Sequence, residues 1–241
     1  MYEGDKLIFT GKYEAKRIWQ EIDRTVYLNT DRNVLLYQDT LYYIRQSDGA
    51  LMAMNTSAPY PEVEHFKSQV PFEDYVFDEL KLTILTKDGA VQEVNKKKSS
   101  GPLKEAEYWS CLLKLDNDYI AVGWNKTEKV NVFHLLGREL QLRSTLKIAA
   151  GSRNLPTMRV LPVLREKQIL LISARYDKYI DIVWYSTKGL IHVDSNPVGT
   201  VYSLWEIKNE ILIGGKGIQK VILGVKGDLA KNKKKGECTL I

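Results

Sequence analysis

One grammar recurs along this chain. An apolar run closes on a small residue, a short basic and aromatic turn follows, and a second apolar run ends near Trp or Phe. The clearest copy is Ile169-Leu170-Leu171-Ile172-Ser173-Ala174, then Arg175-Tyr176-Asp177-Lys178, then Tyr179-Ile180-Asp181-Ile182-Val183-Trp184-Tyr185. A second copy runs Tyr119 to Gly123, then Trp124-Asn125-Lys126-Thr127-Glu128, then Lys129 to His134. A weaker copy runs Leu7 to Gly11, then Lys12-Tyr13-Glu14, then Ala15 to Gln20. A last copy joins Ile211 to Gly215, through Lys216-Gly217, to Ile218 to Leu223. Each unit is too small to bury its own apolar face, so units of this kind must stack on one another.

The segments between these copies read as further short strands. Gly in an Asp-Gly pair tolerates positive φ, which makes such pairs hairpin signals between apolar runs. Asp48-Gly49 and Asp88-Gly89 are two. Lys188-Gly189 and Gly137-Arg138 punctuate the later copies in the same way, and Leu80, Leu82 and Ile84 alternate as a strand with one buried face does. Strand-turn-strand units can be counted at 5–30, 32–56, 73–95, 108–148, 158–194 and 200–241. A repeat near 40 residues with several strands per unit predicts an all-β chain, a β-propeller. The expected architecture is one domain over 1–241, of about six (five to seven) four-stranded antiparallel blades, an incomplete ring or one completed by a partner. Thr56 to Pro61 and Lys96 to Pro102 read as a Pro-rich linker and a polar loop. Tyr13 to Arg24 and Glu62 to Ser68 are short helix candidates.

Composition narrows the class. With 44% hydrophobic and 27% charged residues, the chain is built to fold. No apolar run approaches the roughly 18 residues of a membrane helix. The start, Met1-Tyr2-Glu3-Gly4-Asp5, lacks the regions of a signal peptide. Two cysteines, Cys111 and Cys238, make no disulfide framework, so a cytoplasmic or nuclear setting is expected. The net charge of +5 sits wholly in residues 216–241, with seven Lys and two acids. A surface-wide basic footprint for nucleic acid is therefore not expected.

The segment Ala174-Arg175-Tyr176-Asp177-Lys178-Tyr179-Ile180-Asp181-Ile182-Val183-Trp184 resembles the unit of the WD-repeat propeller family. That unit has an apolar strand, a small residue, Asp in a tight turn, and Ile-x-Ile/Val-Trp-Asp. Elsewhere the match is degenerate: the Trp-Asp ending becomes Trp19-Gln20, Phe133-His134 and Trp184-Tyr185, and no Gly-His pair occurs. The resemblance implies a fold and a platform role, and no catalytic residue.

If the four turns occupy one face, Lys12, Tyr13, Trp124, Lys126, Arg175, Tyr176 and Lys216 form a basic, aromatic binding ring. Its cations would attract an acidic peptide or a phosphate-bearing ligand, and its aromatics would supply contact area. Solvated turns without a ligand are the alternative. Asp116-Asn117-Asp118 opens like a calcium loop, but Ala121 and Thr127 stand where Gly and Glu are needed, so it reads as a turn. His65, His134 and His192 lie far apart with no metal-ligand or triad spacing, and no nucleotide loop is present. No catalytic, cofactor or metal residues are assigned.

The expected function is a non-enzymatic scaffold for other proteins in an assembly. A propeller hydrolase or lyase with a site in the central channel is the competing reading. A third possibility comes from the tail: Cys238-Thr239-Leu240-Ile241 fits a prenylation box behind the lysines at 231 and 233–235. Only prenylation would bring the chain to a membrane. The favoured reading leaves Cys238 unmodified and makes residues 236–241 a strand of the closing blade.

Overall fold

The computed structural model describes residues 35–37, 39–45, 48–57, 61–78, 81–94, 96, 98–149, 157–165, 168–175, 179–199, 201, 203–207, 210–214, 218–223 and 239–240. Among these, every regular element is a strand, and the strands form four-stranded sheets of consecutive segments. Blade A comprises β1 (Leu35–Tyr37), β2 (Thr40–Ile44), β3 (Leu51–Asn55) and β4 (Glu62–Phe66). Blade B comprises β5 (Phe72–Asp78), β6 (Lys81–Thr86), β7 (Ala90–Glu93) and β8 (Lys98–Pro102). Blade C comprises β9 (Tyr108–Leu115), β10 (Asp118–Asn125), β11 (Val130–Leu136) and β12 (Leu142–Ala149). Blade D comprises β13 (Thr157–Arg165), β14 (Gln168–Arg175), β15 (Tyr179–Ser186) and β16 (Gly189–Pro197). Blade E comprises β17 (Ser203–Ile207), β18 (Glu210–Gly214), β19 (Ile218–Leu223) and β20 (Thr239–Leu240). This is the all-β propeller architecture that the repeats predict.

The chain divides into two compact units, Met1–Pro71 and Phe72–Ile241. Within the first, blade A is closed at one end by exposed charge. Asp48 accepts from Arg45 Nε and Nη2 and from Lys67 Nζ, each at 2.8 Å, and Arg45 also reaches Glu64 at 3.0 Å. Hydrogen bonds from Arg45 and then Lys67 hold the Asp48 carboxyl well below the usual carboxylate range.

In the second unit the blades stack in sequence order. The first strands β5, β9, β13 and β17 pack in succession, and the outer strands β12 and β16 also meet. Strand alternation explains the stacking, because successive side chains leave opposite faces of a sheet. On β10, Tyr119 and Ala121 join Leu85, Val91, Trp109 and Leu136 between blades B and C. The intervening Ile120 and Val122 join Phe133, Leu171, Val183 and Tyr185 between C and D. On blade D, Ile172, Ile180 and Ile182 face the other way, onto Leu204, Ile211 and Ile213 of blade E. Each such buried aliphatic side chain contributes roughly 1.5–3 kcal/mol.

Asp88-Gly89 sits in the β6–β7 turn as expected, with Gly89 at φ 87° and an added Cβ placed 2.4 Å from the Trp109 ring. Glycine is needed there for both reasons.

Three expectations are corrected. Glu62 to Ser68 is no helix, since Glu62–Phe66 is β4 and pairs antiparallel with β3. The polar loop at 96–102 is largely β8, and the linker at Thr56 joins β3 to β4 within one blade. Blades A and B therefore extend past the expected ends at 56 and 95. Their fourth strands are edge strands, rich in charge, Ser and Pro, which carry no apolar alternation to read. In blade E the described part of the closing strand is Thr239–Leu240, and it pairs with β19 in parallel rather than antiparallel. The expected first blade at 5–30, the helix candidate at 13–24 and Cys238 lie outside the described residues.

Candidate functional site

The turns between second and third strands carry the expected binding residues. In blade C this turn follows Asn125 and holds Lys126 to Lys129. Asn125 shapes it: its side-chain oxygen accepts from Glu128 N at 2.7 Å, while its amide donates to the Glu105 carbonyl at 2.9 Å. The Glu107 amide donates to Trp124 O at 2.9 Å. Glu107 Oε1 accepts from Thr127 N at 3.0 Å and from Thr127 Oγ1 at 2.8 Å, and these bonds hold its carboxyl below the usual range. Lys147 Nζ reaches Glu128 at 2.8 Å and Glu105 at 3.0 Å. Glu105 and Lys129 take left-handed φ of 75° and 58°, a conformation that non-glycine residues hold only where neighbours fix it. The link from blade B and the turn of blade C thus form one exposed, stitched platform.

Lys126 lies exposed on this platform. Trp124 does not. It is a β10 residue, 5% exposed, and its register partner on β9 is Tyr108, which is 56% exposed. The exposed aromatic beside this turn is therefore Tyr108, a residue the repeat pattern passes over.

Arg175 is likewise corrected from exposed turn to buried strand end. It is 1% exposed. Its Nε lies 3.4 Å from Asp181 Oδ2, its Nη1 donates to Ala149 O of blade C at 3.2 Å, and its guanidinium sits 4.9 Å from the Tyr179 ring centre. Asp181 Oδ1 accepts from Ser195 Oγ at 2.6 Å, and His192 Nε2 lies 2.9 Å from that hydroxyl. The readable signal was Asp181 itself, a charge inside the apolar run Ile180 to Val183, which burial obliges to be paired. Lys12, Tyr13, Tyr176 and Lys216 lie outside the described residues.

Other buried polar groups join blades. Asp118 begins β10 after the Asp116-Asn117 turn, accepting from Arg143 Nη1 at 2.9 Å and from Tyr185 Oη of blade D at 3.0 Å. Burial, and then the bond to Asp118, pushes the Tyr185 phenol up to about 12. Asp74 Oδ2 accepts from Leu112 N at 2.6 Å, tying B to C. His134 is buried, with Nδ1 2.9 Å from Thr145 Oγ1 and Nε2 2.9 Å from Lys104 O. Among the described residues no group of three or more His, Cys, Asp or Glu is arranged to hold a metal ion.

No protein-family model matches the sequence, and no curated protein does. Solved structures do. The chain is similar to BBS1N, solved in complex with ARL6DN, at a TM-score of 0.56 and 16% identity over 78% of this chain. It is also similar to KlAtg21, solved with the coiled coil of AgAtg16, at 0.52 and 12% over 78% of this chain. The likeness is one of fold. The chain spans 62% and 64% of those two, less than two thirds of each. The WD40 β-propeller domain of Doa1 aligns more loosely, at a TM-score of 0.47 and 12% identity, covering 79% of this chain and 78% of that one.

Proposed function

We propose that this chain is a non-enzymatic, degenerate WD-repeat-like propeller, one domain over 1–241, that holds other proteins within an assembly. One observation carries the reading. The exposed segments at 104–108 and 125–129 are pinned to each other by side-chain and backbone bonds, with Ala106 alone of the first packed against the core beneath. Rigid exposed loops meet a partner with little further loss of conformational entropy. Buried charge supports it from below, since Asp74, Asp118, Arg175 and Asp181 join strands and blades. The similar structures BBS1N and KlAtg21 were solved with protein partners, which agrees with this role.

The contact surface in this reading is the turn-bearing end of the blades. Lys126 and Tyr108 make direct contact, and Trp124 and Arg175 hold the turns from beneath. Lys12, Tyr13, Tyr176 and Lys216 join it on the strength of the repeat alone. The ligand presented to the lysines is an acidic or phosphate-bearing segment of a partner protein. The setting is cytoplasmic or nuclear, and Cys238 stays unmodified. The test is the double variant Tyr108→Ala, Lys126→Glu, measured for partner capture beside a circular dichroism melt. A hot-spot loss of about 2 kcal/mol is expected in capture with the fold retained. Undiminished capture by the folded variant removes this end from the account.

A further inference from the structure

Adjacent cations occur at Lys16-Arg17, Lys96-Lys97-Lys98 and Lys233-Lys234-Lys235, and only the run at 96–98 leads directly into a hydroxyl residue, Ser99. That run lies on β8 and the turn before it, at the outer edge of blade B. Among the described residues no strand pairs with the outer side of β8. Its inner side is lightly held. Pro102 has no N–H to give, the register breaks between Ala90 and Gln92, and Gly101 turns the chain at φ 66°. The two serines of this edge differ. Ser100 Oγ is half-buried, accepting from Val91 N at 3.0 Å and donating to Gly101 O at 2.7 Å. Ser99 is exposed; its oxygen accepts from Gly101 N at 3.1 Å, and no described group takes its proton. Thr127 and Ser144 also follow a cation, but the Thr127 hydroxyl donates to Glu107 and Ser144 Oγ is buried.

We propose that Ser99 is a phosphorylation site, read by a serine kinase that selects cations on the N-terminal side of its target. Kinases discriminate substrates by such charge patterns. Lys96, Lys97 and Lys98 stand three, two and one residues before the serine. Lys96 Nζ lies 3.4 Å from Glu93 Oε1, and Lys98 Nζ lies 2.5 Å from Glu139 Oε2 on the β11–β12 turn. Lys96 and Glu139 are largely exposed, and ion pairs at a surface hold weakly, so both cations are released to an acidic cleft at little cost. The extended edge segment then enters that cleft with its hydroxyl outward. Ser99 Oγ attacks the γ-phosphorus of magnesium-bound ATP and forms the new O–P bond. The bond from that phosphorus to the β–γ bridging oxygen breaks, and its electron pair leaves with ADP. The hydroxyl proton passes to the catalytic carboxylate of the kinase. The product carries about −1.5 to −2 at pH 7, which offsets at least half of the charge of the three lysines.

The test uses the full folded chain and does not depend on the scaffold reading. The probe is the catalytic subunit of the cyclic-AMP-dependent protein kinase with magnesium and ATP. Intact mass and peptide mapping should show one phosphoryl group, at Ser99. Ser99→Ala should take up none, while Ser100→Ala should still be modified at Ser99, with a circular dichroism melt recorded for each. Lys96→Ala should lower kcat/KM about tenfold, and Lys104→Ala, at an exposed lysine beyond β8, should leave it unchanged. A synthetic peptide of residues 93–103 separates sequence from access. Labelling of the peptide without the folded chain would show that β8 does not open and would overturn the proposal. So would labelling of neither, a phosphate mapped to another residue, or equal rates for Lys96→Ala and the wild type.

Discussion

His134 shows how a single buried side chain sets a dependence on pH. Its ring lies 5.6 Å from that of Trp109, and its two nitrogens meet the Thr145 hydroxyl and the Lys104 carbonyl. Desolvation is the largest influence and lowers its pKa below the ordinary 6.5, against the bond to Lys104 and the charge of Glu105, which raise it. The unfolded chain therefore binds the proton more readily than the fold does. This contribution to stability is whole above the unfolded value and is lost as pH falls through the lowered folded one. The melting temperature should drop between about pH 7 and pH 5, and His134→Gln should flatten that drop. Equal slopes in the two proteins would refute the assignment. Residue-level reading from sequence failed where register decides exposure. Trp124 and Tyr108 are cross-strand partners, one buried and one exposed, and nothing local to either says which. Arg175 sits beside a turn, yet its partner Asp181 pulls it inward across the hairpin.

At the scale of the element, hairpins were the legible part. Gly49 and Gly89 fall in turns at positive φ, and Gly189 opens β16 directly after its turn, between strands that the apolar runs marked out. Outer strands were not legible, because β4 and β8 face solvent and carry the polar residues that guard an edge. Blade D is held by more than alternation. Ser173 pairs with Asp181 and Asp181 with Ser195 across three strands, and Arg175 fixes the end of that row to blade C. Removing the Asp181 carboxylate leaves the Arg175 guanidinium buried without that counter-charge, which costs about 3–5 kcal/mol. Asp181→Ala should lower the unfolding free energy by that amount in an equilibrium urea titration, seen as an earlier midpoint at unchanged slope. Arg175→Met, Asp181→Leu, which removes both charges, should recover much of the loss. A single variant as stable as the wild type would show that the pair is not a structural tie.

For the whole molecule, the repeat was enough to reach the fold class, because stacked sheets require each strand to supply two apolar faces. β10 does this with Tyr119 and Ala121 on one side and Ile120 and Val122 on the other. Function was less legible, since a propeller is a platform whose surface loops decide what it holds. The account rests on this chain working as part of a protein assembly. The direct measurement is to cross-link the full chain under native conditions, isolate it, and identify what is covalently joined to it. The account predicts a reproducible set of other proteins in defined proportion to the chain, with cross-links at Lys126 and the neighbouring turn of blade C. Recovery of the 27.7 kDa chain alone, or joined only to copies of itself, would contradict it.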